Sequence, residues 1–453
     1  MHKISVKDFP GLNLGDVRRN ERFVTIIEKI TRQPGSSIPK QSEDWYQTKA
    51  TYQFFKSKSV TVEALQDVLA AYGATQIKGM QAVLIVHDTS NISFSDLQCE
   101  GLGYLDSKDG RGIMCHSSVA VSTEGLPLSL VHQYNWLREV ENRQQKGGSK
   151  KAFEDKESYR WYRSITEVNK LLNTGIKKIH LADREADIYE LFFCAYEQNT
   201  DLLIRAHYNR KLEGRSQPLW DKVLAGEVKG EVVLQIPDEK GRKPAPQAAS
   251  VRYEEVEILR PLRSGAAYES VVLNAITVRE KEPAKGREPL CWQLLTTLEV
   301  NSLSDVLTYV RWYTYRWLIE RFHYVLKSGT RIEELQLKKA DSLRKAVVLY
   351  SLAAFRLMQL VYESRTHPRA SCEVVLTKAE WMVLWMLTNP GKTLPEKPPC
   401  LSEAIRWIAR LGGHLGRKSD GPPGVKTTWL GYQRIQDAAN FYEQLSNQNL
   451  GKG

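Results

Sequence analysis

The chain has 453 residues, 42% of them hydrophobic and 26% charged. That balance excludes a disordered chain and leaves room for roughly two to four domains around a sizeable core. A formal net charge of +11 favours a polyanionic partner, DNA or RNA first.

Six cysteines stand at 99, 115, 194, 291, 372 and 400, with no C-x-x-C spacing. They indicate neither a zinc knuckle nor a redox pair, and read as free thiols in a reducing compartment. The opening Met1-His2-Lys3-Ile4-Ser5-Val6 lacks the apolar core of a signal peptide. The longest apolar run, near 346–355, is too short to span a bilayer. A cytoplasmic protein is expected.

Residues 1–75 read as a small helical unit. Gly15-Asp16 is a start signal for a helix carrying Phe23, Ile26, Ile27 and Ile30, and Pro34-Gly35-Ser36-Ser37 ends it. Further helices are expected over 44–55 and 62–71. With Arg18, Arg19, Arg22, Lys49, Tyr52, Lys56 and Lys58 the unit suits duplex binding. A plain helical cap with solvated basic residues is the alternative.

At Ala82 the period changes. Ala82-Val83-Leu84-Ile85-Val86 reads as a strand buried on both faces, ending in His87-Asp88-Thr89-Ser90. Residues 112–122 and 126–136 alternate around Thr123-Glu124-Gly125 and predict a hairpin. A polar loop follows at 142–151. A helix is expected over 158–172, then a strand over 178–182 ending in Asp183-Arg184-Glu185, then a helix over 189–196. This order predicts an α/β fold, a mixed sheet with helices on its faces.

From 202 to about 300 the character is β, with strands at 202–205, 231–236, 251–259, 270–278 and 291–295. Loops rich in Lys, Pro and Gly separate them, as in a β-rich insertion. Helix returns at Ser304, and a further helix is expected over 343–362. A Pro-rich linker at 389–399 precedes helices over 401–411 and 429–445. These form either a contact with another protein chain or a helical hairpin packed on the main body. The domain boundaries expected are 1–75, 76–386 with the insertion at about 205–300, and 387–453.

The stretch Tyr313-Thr-Tyr-Arg-Trp-Leu-Ile-Glu-Arg-Phe-His-Tyr-Val-Leu-Lys327 has no Gly or Pro and a helical period. As one helix it places Tyr313, Arg316, Glu320 and Lys327 within an arc of about 60°. Leu318, Ile319, Phe322, Val325 and Leu326 fall opposite. The polar strip would be about 21 Å long. A nucleic-acid strand places a phosphate every ~3.4 Å, so such a strip can follow several. The bland alternative is a solvated face with an i,i+4 ion pair.

The other carboxylates weigh against the bland reading. Asp88 and Asp183 each end an apolar strand, at the edge where α/β sheets present their sites. Two carboxylates that close repel unless a cation lies between them. A pair of Mg²⁺ or Mn²⁺ ions suits carboxylate oxygen, and Glu320 would supply the third ligand. Two such ions ~3.5–4 Å apart serve in-line displacement at a phosphodiester. Taken singly, each Asp is more often a strand-end turn residue or helix N-cap than a ligand, and it is the combination with Glu320 that favours catalysis.

Tyr313, Arg316, Glu320 and Lys327 at this spacing match the signature of the DDE transposases of bacterial insertion-sequence family four, and the sequence resembles that family over nearly its whole length. Asp88-Thr89-Ser90 and Asp183-Arg184-Glu185-Ala186-Asp187 resemble its first and second aspartate motifs. The likeness is greatest to the transposon-five branch. The resemblance implies a ribonuclease-H-like catalytic core, an N-terminal helical domain reading the transposon end, and a C-terminal dimerisation domain. It implies a homodimeric DNA transposase of the cut-and-paste type, acting at the bacterial nucleoid.

The implied reaction nicks one strand with water, closes a hairpin with the freed 3′-OH, reopens it, and joins the end to target DNA. Arg316, Lys327, Tyr313 and Arg205 would contact phosphates. Trp292 matches an aromatic that fills the space left by a flipped base, and Trp317 would hold that base. Arg18, Arg19 and Arg22 would contact the end. Tyr324 stands where the transposon-five branch carries a second lysine. Two rivals are a catalytically silent DNA-binding relative and a metal-dependent nuclease on the same core.

Overall fold

The computed structural model describes residues 5–450, apart from 43, 96, 107–109, 140–151, 173–174, 215–216, 237–244, 263, 265, 267, 284–285, 287 and 418–419. The polar loop expected at 142–151 lies outside the described residues.

The chain opens with four helices, α1 (Val17–Arg32), α2 (Ile38–Gln41), α3 (Trp45–Lys56) and α4 (Val62–Gln76). Asp16, Asp44 and Thr61 cap α1, α3 and α4 by accepting an amide N–H of the first turn. Phe23, Val24, Ile26, Ile27 and Ile30 form the buried stripe of α1. The short α2 has Pro39 near its start and was too brief to show a period. The last turns of α4 pack on the sheet. A Cβ at Gly73 would meet Val131 at 2.8 Å, so only glycine lets this helix lie so close.

The sheet begins with β1 (Ala82–Ser93), β2 (Gly103–Tyr104), β3 (Arg111–Val121) and β4 (Pro127–Trp136). Then come α5 (Tyr159–Leu171), β5 (Lys177–Ala182), α6 (Tyr189–Glu197) and β6 (Asp201–Arg205). The core order is β4-β3-β1-β5-β6. The β4–β3 and β3–β1 pairs are antiparallel, and β1–β5 and β5–β6 are parallel. This is the ribonuclease-H-like mixed sheet.

The expected strand at 82–86 is longer than its apolar run. Pairing with β5 stops at Val86–Leu181, but pairing with β3 continues to Ser93–Gly112. Asp88 therefore sits inside β1, not at its end. A strand paired on one side only accepts the polar run His87-Asp88-Thr89-Ser90-Asn91, which hides its continuation.

The insertion contains α7 (Leu219–Ala225), β7 (Gly230–Ile236), β8 (Ala245–Leu259) and β9 (Ser270–Glu280), and β10 (Cys291–Thr296) follows. It is not a separate layer. Antiparallel pairing of β10 with β6 continues the same sheet through β9 and β8 to β7.

Helices α8 (Leu303–Thr314), α9 (Trp317–Tyr324) and α10 (Ala340–Thr366) return to the core. By length and composition α10 could cross a membrane, yet 82% of its most apolar window is buried inside the protein. It is a core helix, and the run at 346–355 is its centre. Three helices close the chain: α11 (Lys378–Thr388), α12 (Leu401–Leu411) and α13 (Val425–Leu450). Helices α12 and α13 touch backbone to backbone. A Cβ on Gly431 would stand 1.6 Å from the Ile408 carbonyl oxygen, and one on Gly412 would stand 1.8 Å from that of Thr427. Tyr432 of α13 donates to Glu380 of α11 at 3.0 Å. The Gln433 amide donates to the Pro34 carbonyl, so this C-terminal unit also reaches the N-terminal helices. All six cysteines are unpaired.

Candidate active site

The β1–β5 register sets Val86 opposite Leu181. Continued two residues past its last pair, that register leads Asp88, within β1, towards Asp183, just beyond the end of β5, and the Asp88 charge reaches Asp183. The Thr89 amide donates to Asp88 Oδ1 at 2.8 Å, and the Glu185 amide to Asp183 Oδ1 at 2.9 Å. Asp183 thereby caps a 3-10 turn over Arg184–Ala186. Burial pushes the Asp183 carboxyl above its usual range. The Glu185 amide and Arg316 oppose this rise, and the charges of Asp88 and Glu185 add to it.

The expected single helix over 313–327 is interrupted. Helix α8 ends at Thr314 and α9 begins at Trp317. Between them the bonds tighten to i→i+3, with Tyr315 N to Trp312 O at 2.9 Å and Arg316 N to Tyr313 O at 3.1 Å. The β3–β4 turn packs here. The Tyr315 ring lies over Gly125, and Trp312 Nε1 donates to the Thr123 carbonyl at 3.2 Å. Past Tyr324 the chain widens into a π turn over Val325–Gly329. The continuous 21 Å strip is thus not formed. Nothing in the stretch, free of Gly and Pro, signals a break caused by a turn about 190 residues away.

Tyr313 is turned inward, 2% exposed, with its ring edge-on to Trp292 at 5.4 Å. Burial pushes its phenol up to about 12. Arg316 is also buried. Its Nη2 donates to Glu320 Oε1 at 2.7 Å, and its guanidinium lies 5.5 Å from the Trp317 ring. Burial disfavours the Arg316 charge, but the Tyr313 phenol, Glu320 and Asp88 outweigh that and raise its pKa. Arg316 comes close to the Tyr313 hydroxyl without forming a full hydrogen bond. Among the described residues, the Tyr313 hydroxyl and the Nε atoms of Arg316 and Arg205 are buried without a hydrogen-bond partner. Burial lowers the Arg205 pKa, and Arg184 and Arg316 repel it further. Its Nη2 makes only a 3.5 Å contact with the Cys291 carbonyl.

Lys327 donates to Asn91 Oδ1 of β1 at 3.2 Å, which ties the π turn to the strand of Asp88. Glu320 carries a side chain 40% exposed and faces Arg316. Three residues on, His323 sets Nδ1 3.6 Å from Asp88 Oδ2, with Nε2 3.3 Å from Ser117 Oγ. One turn of α9 therefore separates Glu320 from a contact with Asp88. Among the described residues, no three His, Cys, Asp or Glu side chains already stand together as a metal-holding group. The donor set fits a hard cation: two mutually repelling carboxylates, with a third held nearby by Arg316.

Trp292 is buried at 6% exposure, behind Tyr313. Trp317 is half-buried, and Tyr324 is 40% exposed. In the N-terminal helices, the Arg18 side chain is 89% exposed and pairs with Asp16, Arg19 donates to the Leu14 carbonyl, and Arg22 is half-buried. These residues are far in sequence from the carboxylates and do not join them.

Sequence reasoning missed His323, although Glu320-x-x-His323 lies on one helix face. It also missed Asn91, and Arg160 of α5, whose partners are 71 and 25 residues away. Behind the site a buried histidine network crosses the sheet. His87 Nε2 meets His180 Nδ1 at 2.7 Å, Ser118 Oγ meets His87 Nδ1 at 3.0 Å, and Thr89 Oγ1 meets His116 Nδ1 at 2.8 Å.

The strand order and the paired aspartates define the ribonuclease-H-like α/β class. Comparison with known proteins narrows it. A Transposase DNA-binding family model matches residues 2–60, a Transposase DDE domain model matches 137–356, and a Transposase Tn5 dimerisation domain model matches 352–446. Among solved structures, a piggyBac transposase synaptic complex with hairpin DNA matches at 11% identity and a TM-score of 0.39, over 80% of this chain and 73% of that one. The three models follow one another along most of the sequence, and the chain belongs to the Tn5-like DDE transposases.

Proposed function

We propose that this DNA transposase performs cut-and-paste transposition, with Asp88, Asp183 and Glu320 as the carboxylates that hold two divalent ions. When bound, Mg²⁺ or Mn²⁺ supplies the charge that activates an attacking oxygen and stabilises a leaving one at phosphorus. The observation that carries this reading is the strand register that leads Asp88 towards Asp183, with Asp183 half-buried beside a like charge. A fold keeps such a pair when a cation is to offset it. Glu320 completes the set by leaving Arg316, which frees that guanidinium for a phosphate.

The buried, unpartnered donors mark where the DNA backbone would lie. Arg316 and Arg205 offer planar guanidinium groups to phosphate oxygens, and Tyr313 offers a hydroxyl that stays protonated at neutral pH. Lys327 adds a point charge from the π turn. These groups grip the backbone on either side of the scissile bond, so water and then a 3′-OH can be presented in line at the same phosphorus. The same grip serves nicking, hairpin closure, hairpin opening and strand transfer. Trp317, half-buried beside Arg316, would stack on an extruded base. Trp292 backs Tyr313; to fill the gap left by a flipped base it must leave that contact.

The N-terminal helices, with Arg18, Arg19 and Arg22, read the transposon end. The C-terminal helices join two copies into a synaptic homodimer. The domain limits we propose are 1–75, 76–386 with the β-rich part at about 205–300, and 387–453. The setting would be the cytoplasm, at the nucleoid.

Incubation with end-bearing DNA and Mg²⁺ tests the proposal. Hairpins and joined products are expected. Open breaks without hairpins would instead make it a nuclease, and end binding without cleavage a silent relative. Asp88→Asn, Asp183→Asn and Glu320→Gln should each lower cleavage at least ~10³-fold, a barrier change of about 4 kcal/mol, with end binding retained. Loss of binding in all three would refute the assignment.

A further inference from the structure

Parallel pairing between β1 and β5 ends at Val86–Leu181. Beyond that rung, among the described residues, the two segments are no longer paired as strands, and there Asp88 and Asp183 repel each other. The Arg160 side chain crosses the gap. Arg160, at the start of α5, donates from Nε to Thr89 Oγ1 at 3.0 Å and from Nη2 to Glu185 Oε2. Its Nη1 donates to the Glu157 carbonyl at 3.1 Å. The guanidinium lies 5.9 Å from the Trp136 ring and 5.7 Å from that of Trp161. Its side chain is 12% exposed.

Thr89 and Glu185 are the two residues whose amides fix one oxygen of Asp88 and one of Asp183. We infer that Arg160 is a positioning residue that clamps the two aspartate-bearing segments at the spacing a divalent ion needs. This rests on the proposed role of Asp88 and Asp183. The alternative is that Arg160 is one more phosphate contact. All three of its nitrogens already donate within the protein, the aromatic rings flank it, and little of it reaches solvent. Its fork suits bridging two oxygens on separate segments, which the single ammonium of lysine cannot do.

Mn²⁺ binding to the full chain without DNA, read by the loss of the free-ion electron paramagnetic resonance signal, tests the clamp. Arg160→Gln should weaken Mn²⁺ binding ~10–100-fold, as removal of groups that orient metal ligands does. Arg160→Lys should not rescue it. Thr89→Val should weaken binding too, and combined with Arg160→Gln should add little, because both cut the same bridge. Thr89→Val keeps shape and charge, so the test survives if Arg160→Gln fails to fold.

Asp88→Asn is the control. If it weakens Mn²⁺ binding while Arg160→Gln and Thr89→Val do not, the clamp is wrong and the metal site stands. If Asp88→Asn leaves binding unchanged, the metal site itself is wrong. End binding by Arg160→Gln should keep its salt dependence. A slope reduced by about one phosphate would make Arg160 a DNA contact and overturn the clamp.

Discussion

Asp183 shows what a proposed metal ligand costs its fold. Burial and the Asp88 charge raise its pKa in the native state. An acid whose native pKa lies above the unfolded value binds more protons when folded. Ionisation therefore disfavours the metal-free fold, fully above the raised pKa and not at all below the ordinary one. Asp183→Asn should raise the melting temperature of metal-free protein at pH 7–8, with the gain shrinking as pH falls into the carboxylate range. Mn²⁺ should stabilise wild type and not the variant; differential scanning fluorimetry in chelator and in Mn²⁺ reads both. The sequence pointed to Asp183 through the end of its strand and to Tyr313, Arg316, Glu320 and Lys327 through their spacing, whereas Asp88 lies within a strand that outlasts its apolar run. Arg160 was not legible, because its role depends on two partners that only the folded sheet brings within reach. Nor was the inward turn of Tyr313, whose ring packs on Trp292 of β10, 21 residues earlier.

At the scale of elements, short-range pattern served well where the chain caps its own helices, as at Asp16 and Thr61, and where a turn is built for a hairpin, as at Gly125. It failed where a distant element intervenes. The α8–α9 junction looks continuous in sequence and is broken by the β3–β4 turn. Gly125 has φ +90°, and a Cβ there would stand 2.7 Å from the Tyr315 ring. Gly125→Ala should therefore shift the junction that sets Arg316 and Glu320. Cleavage should fall ~10-fold or more while gel-shift affinity for end DNA stays within about twofold. The α12–α13 contact gives a second expectation. A methyl group on Gly431 has no room beside the Ile408 carbonyl, and overpacking costs ~1–3 kcal/mol or more. Gly431→Ala should separate these helices and abolish dimerisation in sedimentation, with the DDE core still folded. The short α7 escaped notice because its seven residues, starting after Pro218, are too few to show a period.

Across the whole molecule, acid is the expected weak point. Burial holds His87 and His116 well below the ordinary histidine range, and brings His132 to about 4 and His180 to about 3. A histidine neutral in the fold but protonated when unfolded contributes stability that is complete above its ordinary pKa and is lost as pH falls. Each such group removes at most about 1.4 kcal/mol per pH unit below ~6.5. Four acting together should unfold the protein cooperatively between about pH 6 and 4, in chemical denaturation followed by circular dichroism. Stability unchanged down to pH 4 would contradict their neutrality. The architecture itself was largely readable. The order of strands and helices predicted a mixed sheet, and the apolar run at 82–86 marked its central strand. The joining of the insertion to that sheet was not readable, because pairing of β6 with β10 links segments about 90 residues apart.

That joining has a mechanical consequence. From β5 to the far edge strand β7 the sheet takes five steps of ~4.8 Å, about 24 Å in all. Because the strands are bonded side by side, a rigid tilt of about 5° at β5 would swing the rim by about 2 Å. Val233 stands on that rim, 62% exposed. A spin label or fluorophore placed there would act as a pointer, magnifying what happens at the carboxylates while staying clear of them.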